Sequence, residues 1–287
     1  MRILLTNDDG VASSGIWEAA RVLAELGEVV IFAPDREMSG TGGAVSLLQP
    51  IRVHRIRPRI PGVTTYAVEG TPADSVILAL ERFIDGPVDL LVSGINQGAN
   101  FGEDIFLSGT VGAALQGHFR GIPSIAVSVA ALHKVRYRAA AALLRVLAGR
   151  YADWAQSAAD APGLTPSNAA PRPPLLNVNL PNLPPRKLKD VVVTHLGHRA
   201  YADSITDGDD GRRSWYWITR ERPDWEEEEG SDIWAIRRRK VSVTPIYTDL
   251  TAYPAMPHLE GVARAMLASL RPGGRPPAAG EADAGAS

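Results

Sequence analysis

Residues 2–33 have the sequence RILLTNDDGVASSGIWEAARVLAELGEVVIFA, and this pattern sets the fold class. Residues 2–6 and 29–33 are short apolar runs typical of strands, whereas residues 14–26 have the apolar spacing of a helix that ends at Gly27. A strand, a helix and a second strand in this order form a βαβ unit with parallel strands. The sequence therefore predicts an α/β fold with a mostly parallel sheet.

The same alternation continues further along the chain. Thr71 and Pro72 have the residue types of a helix N-terminus, and we predict a helix from there to residue 83. Other segments predict strands at residues 88–92 and 124–129, and helices at residues 109–119 and 135–147. In the second half, apolar stretches predict strands at residues 176–180, 191–195, 215–219, 233–236 and 241–245. Residues 259–270 have the pattern of an amphipathic helix.

Composition divides the chain into four predicted regions. Residues 157–174 are rich in Ala, Pro, Ser and Gly without apolar periodicity, which is typical of a flexible insertion. The last residues are rich in Gly, Pro and Ala and predict a disordered tail. The regions are an α/β core at residues 1–150, an Ala- and Pro-rich insertion at 151–174, a β-rich extension with a C-terminal helix at 175–270, and the tail at 271–287.

Charge and composition exclude several classes of function. The 30 Lys and Arg residues against 32 Asp and Glu residues give a formal net charge of −2, so no overall positive field attracts a nucleic-acid polymer or an anionic membrane. The absence of Cys excludes disulfides, zinc–thiolate sites, Fe–S clusters and thiol catalysis. No apolar run has the length of a signal peptide or a membrane span, so we expect a soluble, cytoplasmic protein.

Asp8 and Asp9 directly follow the first predicted strand and are the strongest sign of a functional site. Two carboxylates a few ångströms apart repel each other by about 2–4 kcal/mol at an effective dielectric constant of about 20. A divalent cation would neutralise them, and hard ions such as Mg²⁺ and Mn²⁺ prefer oxygen ligands. Gly10 allows the turn that would bring both carboxylates to one ion. A solvated turn in which Asp8 caps the next helix is the equally weighted alternative.

Two further loops follow predicted strands and should meet the first, because ligands bind beyond the carboxyl ends of parallel strands. Ser39 lies in a loop of small residues, where its hydroxyl could contact a metal; a mobile surface loop is the simpler interpretation. Asn96 and Asn100 offer amide oxygens, although Asn beside Gly is also common in turns.

The segment SGTVG at residues 108–112 opens a predicted helix. Two hydroxyl residues, Ser108 and Thr110, flank Gly109, and the unpaired N–H groups and dipole of a helix start favour phosphate. Ordinary capping of the helix by Ser108 or Thr110 is the alternative.

Two common site motifs are incomplete. Residues 10–15 have the glycine spacing of a P-loop, but Ile16 and Trp17 stand where the motif needs Lys and a hydroxyl residue. His195 and His198 lack the helical context and the Glu of a zinc site, so we interpret them as structural.

Several motifs, in the same order along the chain, resemble SurE, the stationary-phase survival family of metal-dependent nucleotidases. These motifs are Thr6-Asn7-Asp8-Asp9-Gly10, Ala33-Pro34-Asp35 with Ser39-Gly40, Gly70-Thr71-Pro72-Ala73-Asp74, Ser93-Gly94-Ile95-Asn96 with Gly98, and Ser108-Gly109-Thr110-Val111-Gly112-Ala113-Ala114. The resemblance resumes at residues 177–181 and 243–251, so it covers most of the chain.

The resemblance implies a ligand set and an assembly. One divalent cation, Mg²⁺ or Mn²⁺, would be held by Asp8, Asp9, Ser39 and Asn96. The residues close to the substrate phosphate would be Asn7, Ser108, Gly109 and Thr110. The resemblance also implies a Rossmann-like core with helices on both faces, and a C-terminal β-rich extension that takes part in forming homodimers or homotetramers.

We therefore expect hydrolysis of nucleoside 5'-monophosphates to nucleoside and phosphate, and the family also implies 3'-monophosphates and short polyphosphate as substrates. Asp8 and Asp9 would be the catalytic residues. Asp8 either attacks phosphorus or directs a water molecule, of which we favour water, and the leaving oxygen takes its proton from water or from Asp9. Two other classes stay open: a nucleotide- or phosphate-binding sensor without turnover, and a structural assembly protein.

Overall fold

The computed structural model describes residues 1–158, 172–198, 202–209, 211, 213–221 and 228–270. Its strands are β1 (Arg2–Thr6), β2 (Glu28–Pro34), β3 (Val53–Arg55), β4 (Thr64–Val68), β5 (Leu90–Gln97), β6 (Ser124–Ala130), β7 (Leu175–Pro181), β8 (Asp190–Val193), β9 (Ala202–Asp209), β10 (Ser214–Glu221) and β11 (Lys240–Ile246). Its α-helices are α1 (Ser14–Leu23), α2 (Pro72–Leu78), α3 (Gly109–Phe119), α4 (Tyr137–Ala158), α5 (Asp232–Arg237) and α6 (Met256–Leu270).

Nine of the described strands form one sheet in the order β3-β4-β2-β1-β5-β6-β7-β11-β8. Six neighbouring pairs are parallel, and the pairs β3–β4 and β7–β11 are antiparallel. The chain first runs from β1 to β2 on one side and later returns to place β5 on the other side of β1. The strand order therefore reverses between β1 and β5, which is where open α/β sheets bind ligands.

Helices cover both faces of this sheet. On one face, apolar residues of α1 and α4, such as Ile16 and Leu144, pack against Ile3 and Leu5 of β1. On the other face, residues of α2 and α3, such as Val111, pack against Leu4. The predicted α/β fold with helices on both faces of a mostly parallel sheet is confirmed.

Two parts of the second half lie outside this sheet. Strands β9 and β10 pair antiparallel as a separate two-stranded sheet. The chain divides into two compact units, Met1–Tyr247 and Thr248–Ser287. Helix α6 belongs to the second unit. No helix among the described residues is both long and apolar enough to cross a bilayer.

Most predicted elements are present with shifted ends. The helix at residues 109–119 and the strand at residues 2–6 match α3 and β1 in both bounds. The helix predicted to residue 83 is α2 followed by a π-helical turn, Ala79–Phe83. The sequence analysis did not predict the three strands β3, β4 and β9.

Two local predictions were wrong. Residues 233–236 are helical within α5, because Ser231 accepts a hydrogen bond from the Trp234 N–H and caps a helix start. A run of four apolar residues does not distinguish a strand from a short helix. The polar residues after position 92, interpreted as a loop, lie within β5, where their backbone pairs with β6.

The predicted four-region division stays a prediction. Residues 151–158, assigned to the insertion, continue α4, and most of the remaining insertion lies outside the described residues, as does the predicted tail. Strands β7, β8 and β11, predicted in the β-rich extension, belong to the same nine-stranded sheet as the core strands, and β7 pairs directly with the core strand β6.

Candidate active site

A cleft of about 320 Å³ lies at the carboxyl ends of β1 and β5, where the strand order reverses. Thr6 and Ser93 are paired positions of these two strands, so the residues that follow them are neighbours. The lining residues that the sequence analysis singled out are Asp8, Asp9, Ser39, Asn96, Asn100 and Ser108. Residues separated by a hundred positions in the chain therefore share one cleft.

Asp8 is almost completely buried, with 3% of its surface exposed. Its Oδ1 accepts a hydrogen bond of 2.6 Å from the Thr110 hydroxyl, and its backbone carbonyl accepts one of 2.8 Å from the Met38 N–H. Burial raises the pKa of Asp8, because a buried carboxylate loses its hydration. The fold thus holds this carboxyl in one orientation in a place where its negative charge is unfavourable.

Asp9 lines the same cleft and is partly exposed. Its Oδ2 accepts a hydrogen bond of 3.1 Å from the Gln97 N–H. Burial and then the neighbouring charge of Asp8 raise the pKa of Asp9 to about 7. This agrees with the repulsion expected between adjacent carboxylates.

Gly10 makes the turn that follows the two acids. Its φ is +87°, and an added Cβ would lie 2.9 Å from the backbone of Arg36. Both the dihedral angle and the close approach require glycine at this position. The turn lets Asp8 and Asp9 line one cleft, although neighbours in an extended strand face opposite ways.

Asn96 and Ser39 supply neutral oxygens to the cleft. Asn96 is buried, and its Nδ2 donates a hydrogen bond of 2.9 Å to the Gly98 carbonyl. This bond fixes the orientation of the side-chain amide and leaves Oδ1 as the atom that can bind a ligand. Ser39 lies in the loop after β2, is exposed, and donates its hydroxyl to Glu37 at 3.1 Å.

The four residues predicted near phosphate have different positions. Ser108 lines the cleft and accepts from the Val111 N–H at 3.1 Å, so it caps α3. Gly109 and Thr110 do not line the cleft but approach Asp8: a Cβ on Gly109 would lie 2.8 Å from the Asp8 Cβ.

Asn7 is held by hydrogen bonds within its own turn, and its predicted place near phosphate stays a prediction. It is buried and does not line the cleft. Its Nδ2 donates to the Gly10 carbonyl and to the Ser13 hydroxyl, at 3.0 and 2.8 Å. These bonds tie the turn after β1 to the start of α1.

The cleft is acidic. Besides Asp8 and Asp9, its lining includes Glu37 and Asp104, and none of the described lining residues is Lys, Arg or His. Two close carboxylates, an amide oxygen and a hydroxyl form an oxygen donor set that suits a hard divalent cation. The raised pKa values of Asp8 and Asp9 indicate that a positive charge in the cleft would stabilise their ionised forms. The residues present therefore fit one bound cation.

Sequence reasoning missed several lining residues, namely Glu37, Gln97, Ala99, Asp104, Leu107 and Leu132. Glu37 and Gln97 lie close in sequence to the predicted ligands Ser39 and Asn96, so their positions could have indicated that they line the cleft. Asp104 belongs to the short 3₁₀ turn Gly102–Leu107, for which no sequence signal pointed to a site. His195 lies 3.4 Å from Glu228, and neither it nor His198 lines the cleft.

Residues 3–203 match the family model described as Survival protein SurE. A 5'-nucleotidase SurE from Dehalococcoides mccartyi is 40% identical over 273 residues, which cover 94% of this chain and 98% of that protein. A 5'-nucleotidase SurE from Geobacter sulfurreducens is 42% identical over 262 residues, covering 91% and 93%. The crystal structure of the SurE protein from Aquifex aeolicus superposes with a TM-score of 0.74 at 35% identity, over 92% of this chain and 100% of that chain.

Proposed function

The chain belongs to the SurE family, and on this premise we propose that it hydrolyses nucleoside 5'-monophosphates to nucleoside and phosphate, with one divalent cation bound in the acidic cleft. The relatives that this chain matches over nearly their full length are named 5'-nucleotidases. The predicted class of enzyme, a phosphoric monoester hydrolase, is therefore confirmed. Hydrolysis of 3'-monophosphates and of short polyphosphate stays a prediction.

One observation carries this proposal: two adjacent carboxylates line the cleft at the reversal of strand order, next to the start of α3. The proposed cation ligands are Asp8, Asp9, Ser39 and Asn96, with Mg²⁺ or Mn²⁺ as the ion. A bound cation would polarise a phosphoryl oxygen and offset the negative charge of the phosphate.

The residues of the chain have separate tasks in this proposal. Thr110 holds the Asp8 carboxylate in place through its 2.6 Å hydrogen bond. Ser108 lines the cleft at the start of α3, where its hydroxyl and the partial positive charge of the helix start are suited to phosphate oxygens. Contacts of Asn7, Gly109 and Thr110 with phosphate stay a prediction. Correct placement of charge and substrate then accounts for most of the rate enhancement.

Two steps concern protons and the nucleophile. Asp8 is buried and already accepts from Thr110, which favours a role in directing water over direct attack on phosphorus. Binding to a cation lowers the pKa of a carboxyl group, so Asp9 as a ligand would be ionised at neutral pH. This favours water over Asp9 as the source of the proton for the leaving oxygen.

We also propose that the protein forms a homo-oligomer. An apolar cleft of about 390 Å³ on the larger unit is lined by residues that include Tyr151, Trp154 and Val243. Separately, α6 exposes Leu259, Val262 and Met266, spaced on one side of the helix. Contiguous apolar surfaces of this kind usually mark protein contacts.

The activity is tested with AMP, GMP and p-nitrophenyl phosphate, with EDTA and then with added Mg²⁺ or Mn²⁺. We expect turnover to stop on chelation and to return with the metal. Asp8→Asn should lower kcat/KM by at least about 100-fold while the protein stays folded, because it removes the charge that binds the cation.

Asp89→Asn is the matched control for this test. Asp89 accepts from the Arg2 N–H at the opposite end of β1, so its loss should leave turnover unchanged. Full activity after rigorous chelation would refute the metal mechanism. Binding of AMP without hydrolysis by the wild-type protein would instead identify a nucleotide sensor.

A further inference from the structure

We propose that Asn179 is a positioning residue: its two hydrogen bonds to the backbone of Asn100 fix one wall of the cleft, the segment from Asn96 to Asn100. The inference deepens the proposed function and rests on it, because the wall in question orients the proposed cation ligand Asn96. Asn179 itself lies in β7 and does not line the cleft.

The Asn179 side chain makes both hydrogen bonds that a neighbouring strand would make to Asn100. Its Oδ1 accepts from the Asn100 N–H at 2.9 Å, and its Nδ2 donates to the Asn100 carbonyl at 2.8 Å. Asn179 is fully buried, so these groups meet without competing water. A carboxamide is well suited to this position, because it offers an acceptor and a donor side by side.

Two further buried residues hold the same point of the chain. Asn177 donates from Nδ2 to the Asn100 carbonyl at 2.8 Å, and the Asn100 side chain donates to the Ser128 hydroxyl at 2.8 Å. Asn100 is therefore fixed at its N–H, its carbonyl and its side chain by residues of β6 and β7. Asn179 alone bonds two of these three groups, the N–H and the carbonyl.

Hydrogen bonds within the same wall connect Asn100 to the proposed cation ligand Asn96. The short segment from Asn96 to Asn100 is held at its middle by the Gly98 N–H, which donates to the Val129 carbonyl at 3.0 Å. The Gly98 carbonyl accepts from Asn96 Nδ2 at 2.9 Å. A shift of this segment at Asn100 would move the Gly98 carbonyl and turn the Asn96 amide, whose oxygen is the proposed ligand.

Sheet stability alone does not account for an amide at this position. Asn177 and Asn179 lie in β7, an interior strand of the sheet that is buried along its whole length. Strands buried on both faces usually consist of apolar residues. Burying a polar side chain is unfavourable unless it is hydrogen-bonded, and here the bonds go to the cleft segment. The amide groups of β7 therefore hold the wall of the site.

The test is Asn179→Asp, which keeps the shape but sets a carboxylate oxygen against the Asn100 carbonyl. Mn²⁺ binding is measured by calorimetry on the resting enzyme without substrate, beside kcat and KM for AMP. We expect Mn²⁺ affinity to fall by about tenfold or more, since residues that orient a metal ligand have effects of that size. A merely structural residue would lower the melting temperature but leave the Mn²⁺ affinity of the folded protein unchanged.

Asn182→Asp is the matched control. The Asn182 side chain also bonds a loop at two points, accepting from the Arg136 N–H at 2.8 Å and donating to the Lys134 carbonyl at 3.2 Å. Neither of these loop residues lines the cleft. Its Mn²⁺ affinity should match the wild type.

A milder variant covers the case in which Asn179→Asp does not fold. Ser128→Ala removes only the partner of the Asn100 side chain and should weaken Mn²⁺ binding by about two- to threefold, the loss of one modest hydrogen bond. Unchanged Mn²⁺ affinity in a folded Asn179→Asp protein, or in Ser128→Ala if the first variant does not fold, overturns the inference. Failure of the wild-type protein to bind Mn²⁺ or hydrolyse AMP would instead refute the proposed function.

Discussion

Asp9 shows how a single residue can link the site to the stability of the protein. Its pKa rises from an ordinary value of 3.8 to about 7, because of burial and then the charge of Asp8. The folded state therefore binds the Asp9 proton more tightly than the unfolded state does. Between these two pKa values the stability contributed by this group is lost as pH rises.

This linkage predicts a pH dependence that Mn²⁺ reverses. In EDTA, the melting temperature should fall between pH 5 and pH 8, and the fall should be smaller in Asp9→Asn, which has no charge to desolvate. Adding Mn²⁺ should raise the melting temperature more at pH 8 than at pH 5, because the cation binds the ionised carboxylates. Melting curves at several pH values measure this, and identical pH slopes for wild type and Asp9→Asn would contradict it.

At the level of elements, the position of α3 against the end of β1 creates the site. The first residue of α3, Gly109, lies so near Asp8 that a Cβ would be 2.8 Å from the Asp8 Cβ and 3.0 Å from its Oδ2. The next residue, Thr110, bonds the Asp8 carboxylate. A glycine here lets a helix start and a strand end come into direct contact.

Gly109→Ala should separate helix formation from function. Alanine favours helix by about 1 kcal/mol over glycine, so the protein should still fold, but the start of α3 must move away from Asp8. We expect kcat/KM for AMP to fall by about 100-fold, since a displacement of about 1 Å has effects of that size. Gly149→Ala in α4 is the control: nothing lies within 4 Å of an added Cβ there, and activity should stay unchanged. Wild-type activity in Gly109→Ala would refute this role.

At the scale of the whole molecule, the proposed assembly with further copies of the chain would use the exposed apolar side of α6. Leu259, Val262 and Met266 are each more than half exposed, although they are apolar and share one side of the helix. Their burial against another protomer would remove this surface from water.

Substitution on this side of α6 should therefore change the oligomeric state. The double variant Leu259→Glu with Val262→Glu should shift the protein to a smaller species in sedimentation velocity, because it puts charges on the apolar side. Arg264→Gln, at an exposed position of the same helix that pairs with Glu260, should leave the assembly unchanged. An unchanged sedimentation coefficient in the double variant would exclude α6 from the interface.

Sequence patterns over short distances predicted much of this molecule. The alternation of apolar runs with helical periods determined the α/β class. The residues after the predicted strands at 2–6, 29–33 and 88–92 identified three segments that meet in one cleft, although the third segment continues β5. Motifs and loop positions were sufficient for this, because parallel strands bring their carboxyl ends to one edge. Residues 233–236 were mistaken for a strand because four apolar residues carry no clear period.

What the sequence by itself determined is the class of fold, the acidic strand end and the family, because periodicity, charge and motif order are properties of neighbouring residues. Only the tertiary structure decided which atoms meet: Thr110 with Asp8, Asn179 with Asn100, and Asn7 with the start of α1 instead of the cleft. Thr110 follows Asp8 by 102 positions, and Asn179 follows Asn100 by 79. Contacts over such separations depend on strand order and register, which arise from packing the whole sheet.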